Sequence, residues 1–149
     1  MQEIELEIKR KPGAVVVPLP RYMSDMASGM DLHAAVESPV ELKPGDIRLI
    51  PTGLYIAVPP GYEAQVRPRS GLALKHGLTV VNSPGTIDSD YRGEVCVILG
   101  NVGRQSYVVE RGARIAQLVI QPVVRARLVV KDALSETRRA DGGFGHSGT

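Results

Sequence analysis

Cysteine and aromatic residues are scarce in this sequence of 149 residues, which has one Cys, no Trp, one Phe and five Tyr. A single Cys excludes a disulfide framework and a zinc site built from several cysteines. No apolar run approaches the roughly 18 residues of a membrane-spanning helix, and the charged first residues are not typical of a signal peptide. The 18 basic and 16 acidic side chains nearly balance, which does not favour bulk binding of nucleic acid. The sequence therefore predicts a cytoplasmic chain with neither a membrane nor a nucleic acid as partner.

Turn-forming residues are abundant, since the 16 Gly and 11 Pro together exceed the average usage of about 12%. Short apolar segments recur between these turns, either with a period of two, as in residues 4–8, or as a β-branched run, as in residues 14–17, and residues 123–130 end the pattern. This spacing predicts an all-β fold, namely a sandwich, barrel or jelly roll of short strands. One short helix is predicted over residues 70–76, with Ser70 as its N-cap. We expect a core domain over residues 1–131 and a mobile, glycine-rich tail over residues 132–149.

Phosphate-loop, dinucleotide-binding, zinc-protease and nucleophile-elbow motifs are all absent from the sequence. Three other segments could carry chemistry. Residues 88–93 (DSDYRG) place two carboxylates in a turn, although Asp also stabilises turns without any further role. Residues 67–72 (RPRSGL) place two Arg and a hydroxyl at a helix start, where anions bind, although a solvated basic turn explains them equally well.

The third segment is the tail, residues 138–148 (RRADGGFGHSG), which contains the single Phe of the chain. Consecutive glycines allow backbone N–H groups to surround phosphate oxygens. Phe144 has no evident core to join and could stack on a flat ligand such as a base. A disordered end, or a Phe that docks the tail on a groove, is the alternative.

Taken together, these segments resemble the homotrimeric all-β dUTP diphosphatases. That family is identified by five motifs in a fixed order, which span almost the whole chain here. They correspond to residues 28–34 (SGMDLHA), 68–73 (PRSGLA), 85–94 (GTIDSDYRGE), 114–118 (RIAQL) and 139–148 (RADGGFGHSG). The fifth motif departs slightly from the family pattern, because Ala140 replaces a common Gly. Ala is tolerated there unless the backbone requires a positive φ.

The resemblance implies hydrolysis of dUTP to dUMP and pyrophosphate, which keeps uracil out of DNA and supplies dUMP for thymidylate synthesis. Asp88 matches the general base that activates a water for attack on the α-phosphorus. The residues that match phosphate contacts are Arg69, Ser70, Gly71, Gln117, Arg139 and Ser147. Mg²⁺ is implied as a clamp on the triphosphate, with Asp31 reaching it through water and no direct protein ligand.

The resemblance also implies how the nucleoside is recognised. Tyr91 matches a ring that packs on deoxyribose and collides with a 2′-hydroxyl, and Phe144 matches a ring that stacks over uracil. The uracil reader matches Asn82, Gly85, Thr86, Ile87 and Cys96, mostly through their backbone groups. In the family each site takes the hairpin, the segment over 68–72 and the tail from three different subunits, so a homotrimer is expected.

Two other functions are compatible with such a fold. A dCTP deaminase of the same superfamily typically carries a Glu in the hairpin where this chain has Asp88 with Tyr91. A catalytically silent nucleotide-binding module is the second, but the matched residues are all present. Assays of turnover with dUTP and with dCTP discriminate between a dUTP diphosphatase, a dCTP deaminase and a silent nucleotide-binding module.

Overall fold

Strands dominate a computed structural model of the chain, which describes residues 3–138 and 140–142. The strands are β1 (Glu7–Arg10), β2 (Met30–His33), β3 (Val40–Leu42), β4 (Ile47–Ala57), β5 (Tyr62–Arg67), β6 (Leu78–Val80), β7 (Gly85–Ile87), β8 (Glu94–Asn101), β9 (Tyr107–Val109) and β10 (Arg114–Pro122). The helix α1 (Ser70–His76) lies between β5 and β6. The all-β expectation is confirmed, and so is the predicted helix.

Two four-stranded sheets and one two-stranded sheet share the core. Their strand orders are β1-β4-β8-β6, β2-β10-β5-β7 and β3-β9, and all pairs are antiparallel. Neighbouring strands are often distant in sequence, as in a jelly roll. The buried apolar side chains of these sheets form one cluster whose members are all aliphatic. The scarcity of aromatic residues is therefore compatible with a filled core.

Three of the predicted segments differ from the observed strands. The first strand covers Glu7–Arg10 rather than residues 4–8, and residues 14–17 form no strand. Residues 123–130 have the period-two pattern but no strand partner in the described part of the chain. A strand pattern needs a neighbouring backbone to become a ladder, and among the described residues only 7–8 of these three segments have one, on β4.

Among the residues that the structure describes, no helix is long and apolar enough to cross a membrane. The boundary at residue 131 stays a prediction. After Pro122 the described chain contains neither helix nor strand, and its side chains are exposed to residue 138.

Candidate functional site

Asp88 lies at the turn of the hairpin formed by β7 and β8. Strand β7 pairs with β5 in the register Ala64↔Ile87, and Ile87 is buried in the core. Because side chains alternate along a strand, Thr86 and Asp88 both face outward, and both are exposed. The N–H of Tyr91 donates to the carbonyl of Asp88 at 3.1 Å, which closes the turn. The carboxylate is thus presented to solvent from a fixed backbone.

Tyr91 packs back onto the beginning of β8. Its hydroxyl donates to the carbonyl of Glu94 at 3.2 Å, while its ring stays half-exposed. A Cβ on Gly93 would overlap the phenol of Tyr91, so only a glycine leaves the ring this position. The ring is therefore held close to Asp88 with one face available to a ligand.

The other hairpin residues that the sequence predicted lie on the same two strands or at their start. Asn82 is exposed in the preceding turn, and its Nδ2 lies 3.1 Å from where a Cβ of Gly85 would be. Cys96 is half-buried on β8 opposite Pro51, and burial raises the pKa of its thiol. The hairpin thus joins Asn82, Gly85, Thr86, Ile87, Asp88, Tyr91 and Cys96.

A second group of predicted residues surrounds the start of α1. The N-cap is Arg69, with an extended backbone at φ −94°, and Ser70 is the first helical residue. The prediction of Ser70 as the N-cap was wrong, since the extended conformation that a cap needs ends one residue earlier. Ser70 and Gly71 are exposed, and among the described residues no atom outside the backbone of α1 and the neighbours of Gly71 lies within 4 Å of a Cβ built on Gly71.

Asp31 holds two arginines at this end of the sheet. It is 2% exposed, and its Oδ1 and Oδ2 lie 3.2 Å from Arg69 Nε and Arg114 Nη1, respectively. Arg69 also donates through Nη1 to the carbonyl of Arg114 at 3.0 Å. Gln117 on β10 pairs with Asp31 on β2 on one side and with Arg67 on β5 on the other. A buried carboxylate therefore orients a cationic edge next to Ser70.

Sequence reasoning missed Arg114 and His33 as parts of this cluster. Arg114 stands at the start of the fourth motif, which was the available signal. His33 is buried beside it, and its Nδ1 has no hydrogen-bond partner among the described residues. Burial lowers the pKa of His33 despite the nearby Asp31 carboxylate. No feature of the sequence indicated that this His would be enclosed.

Asp88 and the cationic group lie toward opposite ends of β5, although the start of β7 at Gly85 pairs with Val66 next to Arg67. Because β7 is antiparallel to β5, Asp88 lies beyond its Ala64 end, whereas Arg69 and Ser70 follow its Arg67 end. At about 3.3 Å per residue, the strand between Ala64 and Arg67 alone spans about 10 Å. Asp88 and Ser70 are therefore separated by on the order of 10 Å along β5 within a single chain.

Among the described residues, no three His, Cys, Asp or Glu side chains lie close enough together to hold a metal ion. Arg139, Phe144 and Ser147 lie outside the described residues, so their predicted contacts stay predictions. Ala140 has a φ of +47°, the left-handed region that favours glycine.

Comparisons with known proteins identify the family of this chain. The family model described as dUTPase matches residues 16–148. The deoxyuridine 5′-triphosphate nucleotidohydrolases of Caldanaerobacter subterraneus subsp. tengcongensis and Thermoanaerobacter sp. are each 56% identical, covering 97% of this chain and 98% of theirs. A solved structure of Staphylococcus bacteriophage 80alpha dUTPase with dUpNHpp has a TM-score of 0.88 and 26% identity, covering 97% of this chain and 99% of that one.

Proposed function

The chain belongs to the dUTPase family and hydrolyses dUTP to dUMP and pyrophosphate, and we propose that Asp88 is the general base of this reaction. The observation that carries the proposal is the hydrogen-bonded turn that holds Asp88 and Tyr91 three residues apart. A proton acceptor and a ring for the sugar thus stand on one rigid hairpin. The reaction removes dUTP before it can place uracil in DNA, and it supplies dUMP for thymidylate synthesis.

In the proposed step, Asp88 takes a proton from a water molecule whose oxygen attacks the α-phosphorus. The bond from the α-phosphorus to the oxygen shared with the β-phosphorus breaks, and pyrophosphate leaves with that oxygen. No covalent enzyme intermediate is needed, so the rate depends on positioning and on neutralising the charge of the phosphates. The fixed turn that carries Asp88 suits the first requirement, and the cationic edge at Arg69 suits the second.

The phosphate chain is proposed to bind at the start of α1. The first N–H groups of a helix have no partner within it, and they attract anions. The open space over Gly71 allows a phosphate to approach the backbone, and Arg69 is oriented by Asp31 beside it. The Ser70 hydroxyl contacts the same group, and Gln117, Arg139 and Ser147 contact the outer phosphates.

The nucleoside is proposed to bind along the hairpin. Tyr91 packs on the deoxyribose and collides with a 2′-hydroxyl, while the exposed Asn82 reads uracil. Backbone groups of Gly85, Thr86, Ile87 and Cys96 read the rest of the pyrimidine edge. Phe144 closes over the base from the tail.

Mg²⁺, when bound to the triphosphate, neutralises part of its charge. The described residues place the carboxylate of Asp31, an oxygen ligand of the type that Mg²⁺ prefers, beside Arg69 at the start of α1. Asp31 is proposed to face the hydrated ion from the outer shell, and its two ion pairs also give it a role in orienting Arg69 and Arg114. The two roles are separated by a prediction in the Discussion.

We further propose that the enzyme is a cytoplasmic homotrimer whose sites each use several chains. The separation of Asp88 from Ser70 supports a site shared between chains, because within one chain these residues lie toward opposite ends of β5. An open groove of about 990 Å³ next to β1 and β10 is lined by apolar side chains that include Leu6, Leu19, Leu118 and Ile120. Val124, Leu128, Val130 and Leu134 are exposed and need a neighbouring chain to be covered.

Product analysis by ion-exchange chromatography tests the reaction. The enzyme is incubated separately with dUTP, dTTP, dCTP and UTP, with Mg²⁺ or with excess chelator. We expect dUMP and pyrophosphate from dUTP alone, and a slower reaction with chelator. Conversion of dCTP to a uracil nucleotide would indicate a deaminase, and binding of dUTP without turnover would indicate a silent module.

Asp88→Asn tests the base, with Asp90→Asn as a matched control on the same exposed turn. Loss of a general base lowers kcat by about 10²- to 10⁴-fold, whereas binding of dUpNHpp should persist. The control should stay within about twofold of the parent enzyme. Equal turnover of the two variants would refute the role of Asp88.

Complementation tests the shared site. Asp88→Asn and Ser70→Ala chains are co-expressed, and the activity of the mixed oligomers is compared with that of each variant alone. Random mixing should restore roughly a quarter of the sites, because an intact Asp88 and an intact Ser70 then meet across an interface. Activity no higher than the mean of the two variants would mean that each site lies within one chain.

A further inference from the structure

The side chain of Glu94 is enclosed by two other segments of the chain. Its carboxylate is 14% exposed, and its Oε2 lies 2.6 Å from Lys11 Nζ. Its Oε1 accepts the N–H of Gly53 at 3.0 Å. The N–H of Lys11 donates in turn to the carbonyl of Gly53 at 2.8 Å. Lys11, Gly53 and Glu94 thus form a closed ring of contacts, which we name the Glu94 clamp.

A bulge in β4 explains why this ring exists. The register of β4 with β8 passes from Pro51↔Cys96 to Tyr55↔Glu94, so four steps of β4 face two steps of β8. Gly53 lies in this bulge with a φ of +68°, and its N–H is turned to the Glu94 carboxylate instead of a backbone carbonyl. Side chains therefore replace the missing ladder bonds at the point where β8 begins.

The clamp is connected directly to Tyr91. The backbone carbonyl of Glu94 accepts the hydroxyl of Tyr91, and the ring lies against Gly93, the residue before Glu94. The turn between them is closed by Arg92, whose Nη1 donates to the carbonyls of Ser89 and Tyr91 at 2.8 Å. Any displacement of Glu94 therefore moves the acceptor on which the Tyr91 ring is fixed.

We propose that Glu94 is a positioning residue which, held by Lys11 and Gly53, fixes the Tyr91 ring and thereby sets the preference for deoxyribose over ribose. This inference rests on the sugar contact of Tyr91 in the proposed function. Steric exclusion of a 2′-hydroxyl requires a ring that cannot retreat, and the clamp supplies the restraint. Chemistry at Asp88 is less dependent on it, because Asp88 is held separately by the pairing of β7 with β5.

Lys11 contributes through its charge although it is partly exposed. Its side chain is 44% exposed, and the hydrogen bond that its ammonium group donates to Glu94 raises the pKa of that group. An exposed ion pair alone stabilises a protein very little. The carboxylate of Glu94, however, also accepts a backbone N–H in the bulge, so its loss leaves that donor without its acceptor. We therefore expect Glu94 to matter more than Lys11.

The test compares Glu94→Gln and Lys11→Met with the control Lys9→Met, an exposed Lys on β1. For each variant, kcat/KM is measured for dUTP and for UTP, together with the melting temperature at one protein concentration. We expect the ratio of dUTP to UTP to fall about tenfold in Glu94→Gln, and about threefold in Lys11→Met. Lys9→Met should keep the ratio of the parent enzyme. The double variant of Lys11 and Glu94 should resemble Glu94→Gln, because both act through one clamp.

A purely structural role would lower the melting temperature and both kcat/KM values together, with an unchanged ratio, and this result would overturn the inference. If Glu94→Gln folds poorly, Lys11→Met still tests the inference, because it changes an exposed side chain of the clamp. Tyr91→Ala provides the separate check on the proposed function. If it abolishes discrimination while the clamp variants retain it, the clamp inference alone fails. If Tyr91→Ala discriminates like the parent enzyme, the sugar contact is wrong, and the clamp inference fails with it.

Discussion

Replacement of Asp31 by Asn should destabilise the folded enzyme even without nucleotide or metal. Asn preserves the shape and one carbonyl oxygen, but it removes the charge that both Arg69 and Arg114 face. The carboxylate is buried, so its loss leaves the two guanidinium groups without the charge that faces them from the core side. The variant therefore isolates the electrostatic role of Asp31 from its packing.

The expected loss follows from the two contacts. A hydrogen bond to a charged group contributes about 1.5–3 kcal/mol. Both distances are 3.2 Å, long for such bonds, and the Arg69 and Arg114 side chains are 25% and 45% exposed. The lower value therefore applies to each contact, which gives about 3 kcal/mol of unfolding free energy per chain. For a chain of this length the melting temperature should fall by about 6–12 °C.

Urea and thermal denaturation measure this loss at a fixed protein concentration, because assembly contributes to apparent stability. Asp46→Asn is the matched control. Asp46 lies at the same 3.2 Å from Arg48, but both of these side chains are more exposed than Asp31. Asn at this position also keeps an acceptor for the N–H of Lys43. We expect the control to lose less than about 1 kcal/mol.

The same pair of variants separates the two proposed roles of Asp31. If Asp31 orients the arginines, Asp31→Asn unfolds more easily than Asp46→Asn in the presence of chelator. If it acts solely through a hydrated Mg²⁺, stability stays equal to that of the control and only the Mg²⁺ concentration for half-maximal activity rises. Equal stability of the two variants would refute the reasoning from the ion pairs.

Two further predictions concern residues near the proposed site. Ala140→Gly should relieve about 1 kcal/mol of strain at a φ of +47° and lower KM for dUTP by up to about fivefold, whereas a higher KM would mean that the added backbone freedom dominates. Cys96 should react with iodoacetamide at pH 8 about tenfold more slowly than glutathione does, because burial raises its pKa above the ordinary 9.0. Its unfolded form then loses the proton first, so the thiol's contribution to stability should decline as the pH rises above 9.0. The analogue dUpNHpp should slow the alkylation of Cys96 further. Fast alkylation at a rate that dUpNHpp does not change would place Cys96 outside the site.

Local patterns were sufficient for the elements whose partners lie close in sequence. The apolar spacing and flanking residues predicted the helix over 70–76, and the turn at Asp88 was recognisable from its carboxylates and Gly93. The N-cap was missed by one residue, because Ser is a common cap while Arg69 is fixed here by a tertiary contact. Sequence propensity cannot include such a contact.

Contacts between segments that are distant in the sequence could not be predicted from local sequence patterns. The pairing of Asp31 with Arg114 joins residues 83 positions apart, and Glu94 meets Lys11 over the same separation. The five motifs identified the family and its expected roles, but they gave no geometry for either cluster. Residues 123–130 show the converse limit, since a strand pattern forms no ladder when the described part of the chain offers it no partner strand.

The position of Asp88 and Ser70 at opposite ends of β5 links the evolution of catalysis to that of assembly. Under the proposed shared site, a chain with this layout would fold correctly and still be inert until it meets a neighbour. Selection for turnover therefore also preserves the surfaces through which chains recognise one another. Substitutions at those surfaces would lower the activity, although the substituted residues contact neither the attacking water nor the phosphates of dUTP.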